Sequence, residues 1–278
     1  MNSKEICIAG NYSPTITAIE YLEKNYKKFK LSILLNKNDN GKDNFEFSLR
    51  KYSLKNKLKI ISLNQAYRIP NLIFISIHYD KIIKIENFKT KNLYNFHFSL
   101  LPKYKGMHTG AHPIINGENY SGVTLHKIDN GIDTGDVIDQ IKFNINIHDN
   151  AKDLFLKYIN FSKILFKKNI KKIIYKKYIS KKQPKLNSSY FDKKSINFSK
   201  IKINFNKSAY EIHNYIRAFI FEDYQLPKFK GKEIIKSSIT NIRCYKKPGY
   251  IEKKDKGKIY IATIDYLICL HIKSDNFI

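Results

Sequence analysis

The stretch 94–140, YNFHFSLLPKYKGMHTGAHPIINGENYSGVTLHKIDNGIDTGDVIDQ, carries an asparagine, a histidine and an aspartate whose types and spacing could do chemistry together. Tyr94, Phe96 and Phe98 alternate with Asn95, His97 and Ser99, the period of a half-buried strand, so Asn95 and His97 share one face. Leu100, Leu101 and Pro102 end that strand, because proline lacks the N–H that a sheet ladder needs. An amide and an imidazole able to hydrogen-bond one small carbonyl therefore stand where a strand meets its loop, the place where open α/β sheets carry their chemistry. Further on, Gly131, Asp133, Gly135 and Asp136 form a turn behind the alternating segment 122–128, and such a turn can return a carboxylate to the side of the histidine. Taken singly, His97 reads as a core histidine and Asp133 as a turn residue bonded to its own backbone. Their occurrence together gives the functional reading its weight.

The elements that must position these groups are those of an α/β chain. The segment 5–10 (EICIAG) is a short apolar strand running into Gly10, and 15–29 continues as an amphipathic helix with Ile16, Ile19, Leu22 and Tyr26 on one face. Only Gly10 is present at that turn, with no GxGxxG, so a dinucleotide site is not supported. Residues 31–35 read as a second strand, 36–44 as a loop, 45–55 as a helix, 58–62 as a short strand and 64–67 as a turn or brief helix. The run 72–78 (LIFISIH) is apolar enough to be buried on both faces. Residues 153–173 read as a helix whose apolar stripe is core packing, and the Lys-rich stretch 175–189 as a linker. A helix at 208–221 and β-like runs at 233–240, 250–253 and 258–272 form a different kind of segment, which divides the chain into domains at 1–185 and 186–278.

The string NxHxSLLP, KYKG, Ala-x-Pro-Ile-x-x-Gly-Glu, GVTLHxID and GIDTGDVI, in this order, resembles the formyltetrahydrofolate-dependent formyltransferase family, closely so from Asn95 to Gln140. The resemblance implies a Rossmann-like, open, mostly parallel sheet with helices on both faces, followed by a small C-terminal helix and β-rich module. It implies a catalytic trio of Asn95, His97 and Asp133 and 10-formyltetrahydrofolate as co-substrate. Formyl transfer from a folate nitrogen to an amine passes through a tetrahedral carbon whose oxygen turns anionic, so donors are needed there, and Asn95 and a protonated His97 could supply them. The amine must lose a proton and the folate nitrogen gain one, which suits a histidine, with Asp133 favouring its imidazolium. The folate-side positions implied are Ile77, His78, Tyr79 and Asp80 at one strand end and Asp129, Asn130, Gly131 and Ile132 in the turn. On the acceptor side stand Lys103, Tyr104 and Lys105 of the KYKG loop, and Gly10 and Asn11, whose other reading is a plain structural turn. The segment NYIRAF with an aromatic-x-x-Pro after it resembles the nucleotide-sugar branch of the family. Tyr224, able to stack on a base or sugar, is an acceptor-side candidate, as are Asn214 and Arg217, three apart on one helical face, whose other reading is polar residues on the solvent side of an amphipathic helix.

The composition bounds the alternatives. The chain has 278 residues, 42% hydrophobic and 14% aromatic, enough for a full core. No run approaches the roughly 20 apolar residues of a membrane helix, and nothing resembles a signal peptide core. Cys7, Cys244 and Cys269 are too scattered for a metal site and fit reduced thiols, hence a cytoplasmic enzyme with no metal and no membrane partner. The net charge of +27 invites a nucleic-acid reading, but nearly all of it is Lys, with Arg only at 50, 68, 217 and 243, and it is dispersed over almost every segment. A coding bias toward Lys, Ile and Asn accounts for that. The expected activity is therefore N-formylation of a nucleotide-linked amino sugar, a dTDP-3- or 4-amino-dideoxyhexose destined for surface polysaccharide, by a homodimer. The alternative is a methionyl-tRNA formyltransferase. A purine-pathway transferase would resemble only the first two thirds of the chain, and an RNA-binding module without chemistry has only the charge in its favour.

Overall fold

Apolar residues in unbroken runs make strands that are covered on both sides, and two such runs lie at the centre of the main sheet: β1 (Glu5–Gly10) and, further along, Ile73–Ile77, every residue of both being buried. The computed structural model describes residues 4–273. After β1 come α1 (Tyr12–Asn25), β2 (Lys30–Leu35), α2 (Leu49–Lys55), α3 (Leu63–Arg68), β3 (Ile73–Ile77), β4 (Leu93–His97), β5 (Lys105–Gly106) and α4 (His112–Ile115). The chain goes on through β6 (Tyr120–Lys127), β7 (Val137–Asn144), α5 (Ala151–Ile174), β8 (Tyr190–Phe191), α6 (Ala209–Arg217), β9 (Lys228–Phe229), β10 (Lys232–Arg243), β11 (Ile251–Asp255), β12 (Lys258–Ala262) and β13 (Tyr266–Ile272). It forms two compact units, one of Met1–Gly106, Gly122–Phe143 and Lys157–Tyr190, the other of Met107–Ser121, Asn144–Leu156 and Phe191–Ile278.

The first unit holds a six-stranded sheet in the order β2-β1-β3-β4-β6-β7. β1 pairs in parallel with β2 and β3, β3 pairs in parallel with β4, and β6 runs antiparallel to β4. Side chains alternate across it. Phe96 meets Phe166 of α5, which also meets Tyr21 of α1, while Cys7, Ala9, Phe74 and Leu93 pack with Ala66 of α3 on the other face. Helices thus cover both faces, and Asn95 and His97 project on the side of Leu93. Two boundaries differ from the sequence reading for local reasons. α2 starts at Leu49 because Ser48 caps it, its hydroxyl accepting from Lys51 N, and residues 58–62 give no strand, only a bridge from Ile60 to Ile33.

In the second unit a five-stranded sheet, β11-β12-β13-β10-β9, is antiparallel throughout. Ser208 and Glu211 close a capping box that starts α6, and Ile212 and Ile216 at helical spacing press onto Ile234, Ile261, Ile268 and Leu270. The run 258–272 is two strands rather than one. Thr263 Oγ1 reaches Asp265 and the Tyr266 carbonyl, making the turn between them.

Candidate active site

The antiparallel register of β4 and β6 sets Asn95 opposite His126 and His97 opposite Thr124, and the turn after β6 brings Asp133 beside all three polar rings and amides. Asp133 Oδ2 stands 3.3 Å from His97 Nδ1, and Asp133 Oδ1 stands 3.4 Å from His126 Nε2. Asn95 Nδ2 donates to Asp133 Oδ1 at 3.2 Å, and Gly106 N donates to Asp133 Oδ2 at 2.9 Å. The trio read from the sequence therefore meets in space. His126 joins it as a fourth member that the sequence reading left out, although the alternation of Thr124, Leu125 and His126 marks its face.

Carbonyls only accept, so two ring tautomers follow from the contacts. His97 Nε2 lies 2.8 Å from Tyr104 O and carries its proton there, leaving the Nδ1 lone pair toward Asp133. His126 Nδ1 lies 2.7 Å from Lys127 O and carries its proton there, leaving Nε2 to accept from Asn95 Nδ2 at 3.1 Å. Both amide protons of Asn95 are thus engaged, one with Asp133 and one with His126. This departs from the expectation of an amide standing free to meet an oxyanion: a donor role for Asn95 requires trading its bond to His126.

Burial drives the His97 pKa below its ordinary value, with His126 adding to that and the Asp133 carboxylate and the Tyr104 carbonyl opposing it. For Asp133, burial acts to raise the pKa, but the imidazolium forms of His97 and His126 and the Gly106 N–H outweigh it and hold the carboxyl well below the usual carboxylate range. A neutral imidazole whose lone pair faces a carboxylate is a proton acceptor: taking a proton at Nδ1 converts a repulsive contact into an ion pair. Among the described residues no group of three or more His, Cys, Asp or Glu side chains is arranged to hold a metal ion.

The loop after β4 is pinned by Thr124, whose hydroxyl donates to Ser99 O at 2.6 Å and accepts from Leu101 N at 3.1 Å, and by Gln140, which donates to Leu101 O and to Thr124 Oγ1. Tyr104, buried at φ 58°, is held so that its carbonyl meets His97. Lys105 Nζ reaches Ser188 Oγ at 3.0 Å, and Lys103 is half-buried beside it in the chain. Among the positions expected to face the folate, Ile77 is buried, the His78 carbonyl accepts from Asn36 Nδ2, and Asp80 accepts from Lys37 N; the Tyr79 ring packs against Phe74. Asp129 Oδ1 accepts from Gly131 N and Thr134 Oγ1, which shapes the turn that leaves Asn130 and Ile132 exposed. Gly10 lies against β3, where an added Cβ would fall 1.9 Å from Ile77 O, and Asn11 caps α1. Both do structural work.

In the second unit Asn214 and Arg217 do share a helical face, but that face is inward. Arg217, 4% exposed, donates through Nε to Asn214 Oδ1 at 3.0 Å and through one guanidinium nitrogen to Asn146 O and Asp149 O at 3.0 and 2.5 Å. The expected acceptor-side arginine is engaged with backbone carbonyls of its own unit. Tyr224 is 56% exposed, its ring resting on Phe221.

Comparison with known proteins bears on what this arrangement belongs to. The formyl transferase family matches residues 34–169, and the formyl transferase C-terminal domain matches residues 196–274. The methionyl-tRNA formyltransferase of Malacoplasma penetrans is 30% identical over 235 residues, covering 79% of this chain and 72% of that protein. The bifunctional polymyxin resistance protein ArnA of Wigglesworthia glossinidia brevipalpis is 32% identical over 236 residues, and the chain spans only 36% of its length. This chain belongs to the formyltransferase family. Among solved structures it is similar to WlaRD, a sugar 3N-formyl transferase crystallised in the presence of dTDP and 5-N-formyl-THF, with TM-score 0.92 and 45% identity over 99% of this chain and 100% of that one. The N-formyltransferase of Helicobacter canadensis, in complex with folinic acid and dTDP-3-aminofucose, gives 0.90 and 45% over 97% and 99%.

Proposed function

We propose that this protein moves the formyl group of 10-formyltetrahydrofolate to the amine of a nucleotide-linked amino sugar, with a dTDP-linked 3-amino-dideoxyhexose as preferred acceptor. The observation that carries this is the 45% identity to WlaRD over 99% of this chain. The methionyl-tRNA formyltransferase of Clostridium thermocellum, at 22% identity and TM-score 0.57, shares the fold alone.

In this reading the sugar amine attacks the formyl carbon and loses a proton to His97 Nδ1, where Asp133 stands ready to pair with the imidazolium. The carbon–nitrogen bond to the folate breaks as that nitrogen takes a proton back from His97, giving the formamido sugar and tetrahydrofolate. Asn95 gives up its bond to His126 to meet the oxyanion, a donor positioned where charge develops. Residues 77–80 and 129–132 line the folate side, and Lys103 and Lys105 serve the acceptor. With this go a homodimer, work in the cytoplasm, where free thiols such as Cys7 and Cys269 persist, and a product destined for surface polysaccharide.

The test is a mass-spectrometric assay of dTDP-3-amino and dTDP-4-amino sugars, other amino-sugar nucleotides and methionyl-tRNA, each with 10-formyltetrahydrofolate. Formylation of the dTDP-3-amino sugar with the highest kcat/KM is expected. Formylation of methionyl-tRNA alone would overturn the reading.

A further inference from the structure

Residues 178–189, within the stretch 175–189 whose composition reads as a linker, lie instead along the two loops that hold the trio. The hydroxyls of Tyr178 and Tyr94 meet at 3.0 Å, Ser180 Oγ donates to Asp136 Oδ2 at 3.2 Å, and Lys181 and Val137 exchange both backbone bonds at 2.8 Å. Tyr104 N donates to Ser189 Oγ at 2.8 Å, and Ser189 N donates to Pro102 O at 3.2 Å. Between these anchors, Gln183 gives one amide proton to Asp133 O and the other to Gly135 O, each at 2.8 Å.

The turn it holds needs holding. Asp133 sits at φ 54°, a left-handed conformation that side chains rarely adopt, and Gly135 admits no side chain, since a Cβ there would fall 1.8 Å from Lys127 O. Two carbonyls of this strained turn converge on one amide. We propose that Gln183 is a positioning residue for formyl transfer: its amide fork fixes the left-handed turn and so sets the Asp133 carboxylate against His97. The buried Oε1 of Gln183 has no hydrogen-bond partner, so the side chain's work is done by its two donors.

This inference rests on the formyl-transfer reading, and its test keeps the two apart. Gln183→Met keeps the length and removes both donors; Gln183→Lys keeps donors able to reach both carbonyls. The ionisable groups facing His97 are Asp133 from the turn and His126 from β6. If the carboxylate drifts, the imidazolium loses its stabiliser. Gln183→Met should then lower kcat by about 10- to 100-fold with little change in KM for the nucleotide sugar, and should move the acidic limb of the kcat profile down by roughly half a pH unit. Gln183→Lys should stay within about threefold of wild type with the limb in place. NMR titration of the His97 ring without substrates should show the same downward move in the Met variant, which reads positioning even if no acceptor is found. Folding is checked by melting temperature. If the Met variant does not fold, the Lys variant decides: wild-type kcat and limb support the fork, and a folded Lys variant with lowered kcat and an unmoved limb overturns it. A folded Met variant with wild-type kcat, limb and His97 titration also overturns it, whereas a wild type that formylates no amine sinks only the functional reading.

Discussion

At neutral pH His97 is a neutral imidazole facing an ionised Asp133, and the catalytic reading stands or falls on that pair. Because burial depresses the His97 pKa, the ring is neutral and able to accept a proton at pH values where an ordinary histidine, near about 6.5, would already be half protonated. Activity that needs the neutral ring should be flat from neutrality down to about 6.5 and be lost only as pH falls through the depressed value. His97→Ala and Asp133→Asn should each lower kcat by roughly 10²- to 10⁴-fold, and in Asp133→Asn whatever activity is left should show its acidic limb at still lower pH, since the carboxylate is what raises the ring's pKa. A kcat/KM profile with its limb above pH 6.5, or wild-type turnover in either variant, would remove the pair from the mechanism. Asn95, His97 and Asp133 were legible in the sequence because motif and alternation both mark them. His126 was not, because its role depends on standing opposite Asn95, and a strand's own period does not say which residue of a neighbouring strand it faces.

At the scale of elements, legibility followed the apolar pattern. β1, β3 and α5 announce themselves because buried strands are continuous apolar runs and a helix packed on a sheet carries a stripe. Residues 178–189 do not, since a polar, Lys-rich segment tied down by backbone bonds and one glutamine looks like any solvated connection. α6 shows both cases. Its capping box is readable from Ser208 and Glu211, while the direction in which Arg217 points is fixed by carbonyls of residues 146 and 149, far away in sequence. Arg217→Ala should therefore act on stability: it removes the hydrogen bonds that the buried guanidinium gives to Asn214 Oδ1 and to the carbonyls of residues 146 and 149, worth about 1–3 kcal/mol, and should lower the melting temperature of the folded chain. Thermal melts of wild type and variant, run beside KM measurements for the nucleotide sugar, decide it. An unchanged melting temperature with a raised KM would return Arg217 to the acceptor side.

For the whole molecule, the excess of positive charge is spread over a lysine-rich surface, where pairs such as Lys51 with Asp43 or Lys207 with Glu211 are solvent-exposed and contribute little. The acid response is set elsewhere, by histidines folded into apolar surroundings in the neutral form. Burial lowers the pKa of His78, His112 and His213 to about 4 each, the last despite a hydrogen bond to Ile147 O, and His97 and His271 are lowered as well. Unfolding returns each ring to its ordinary value near 6.5, so at pH values between the two the unfolded chain binds more protons than the native one, and stability must fall as pH falls. The depressed carboxyls, Asp133 among them, act in the same direction but only below about pH 4, where unfolded aspartates begin to protonate. The window near pH 5 therefore isolates the histidines. Difference titration of native and denatured protein should show an uptake of about three protons or more on unfolding at pH 5 and close to none at pH 7.5, with the melting temperature dropping steadily from pH 6.5 to 4.5. A melting temperature that stays level across that range would mean that these rings are already charged in the native fold, and with them the neutral His97 on which the proposed proton transfer depends would come into question.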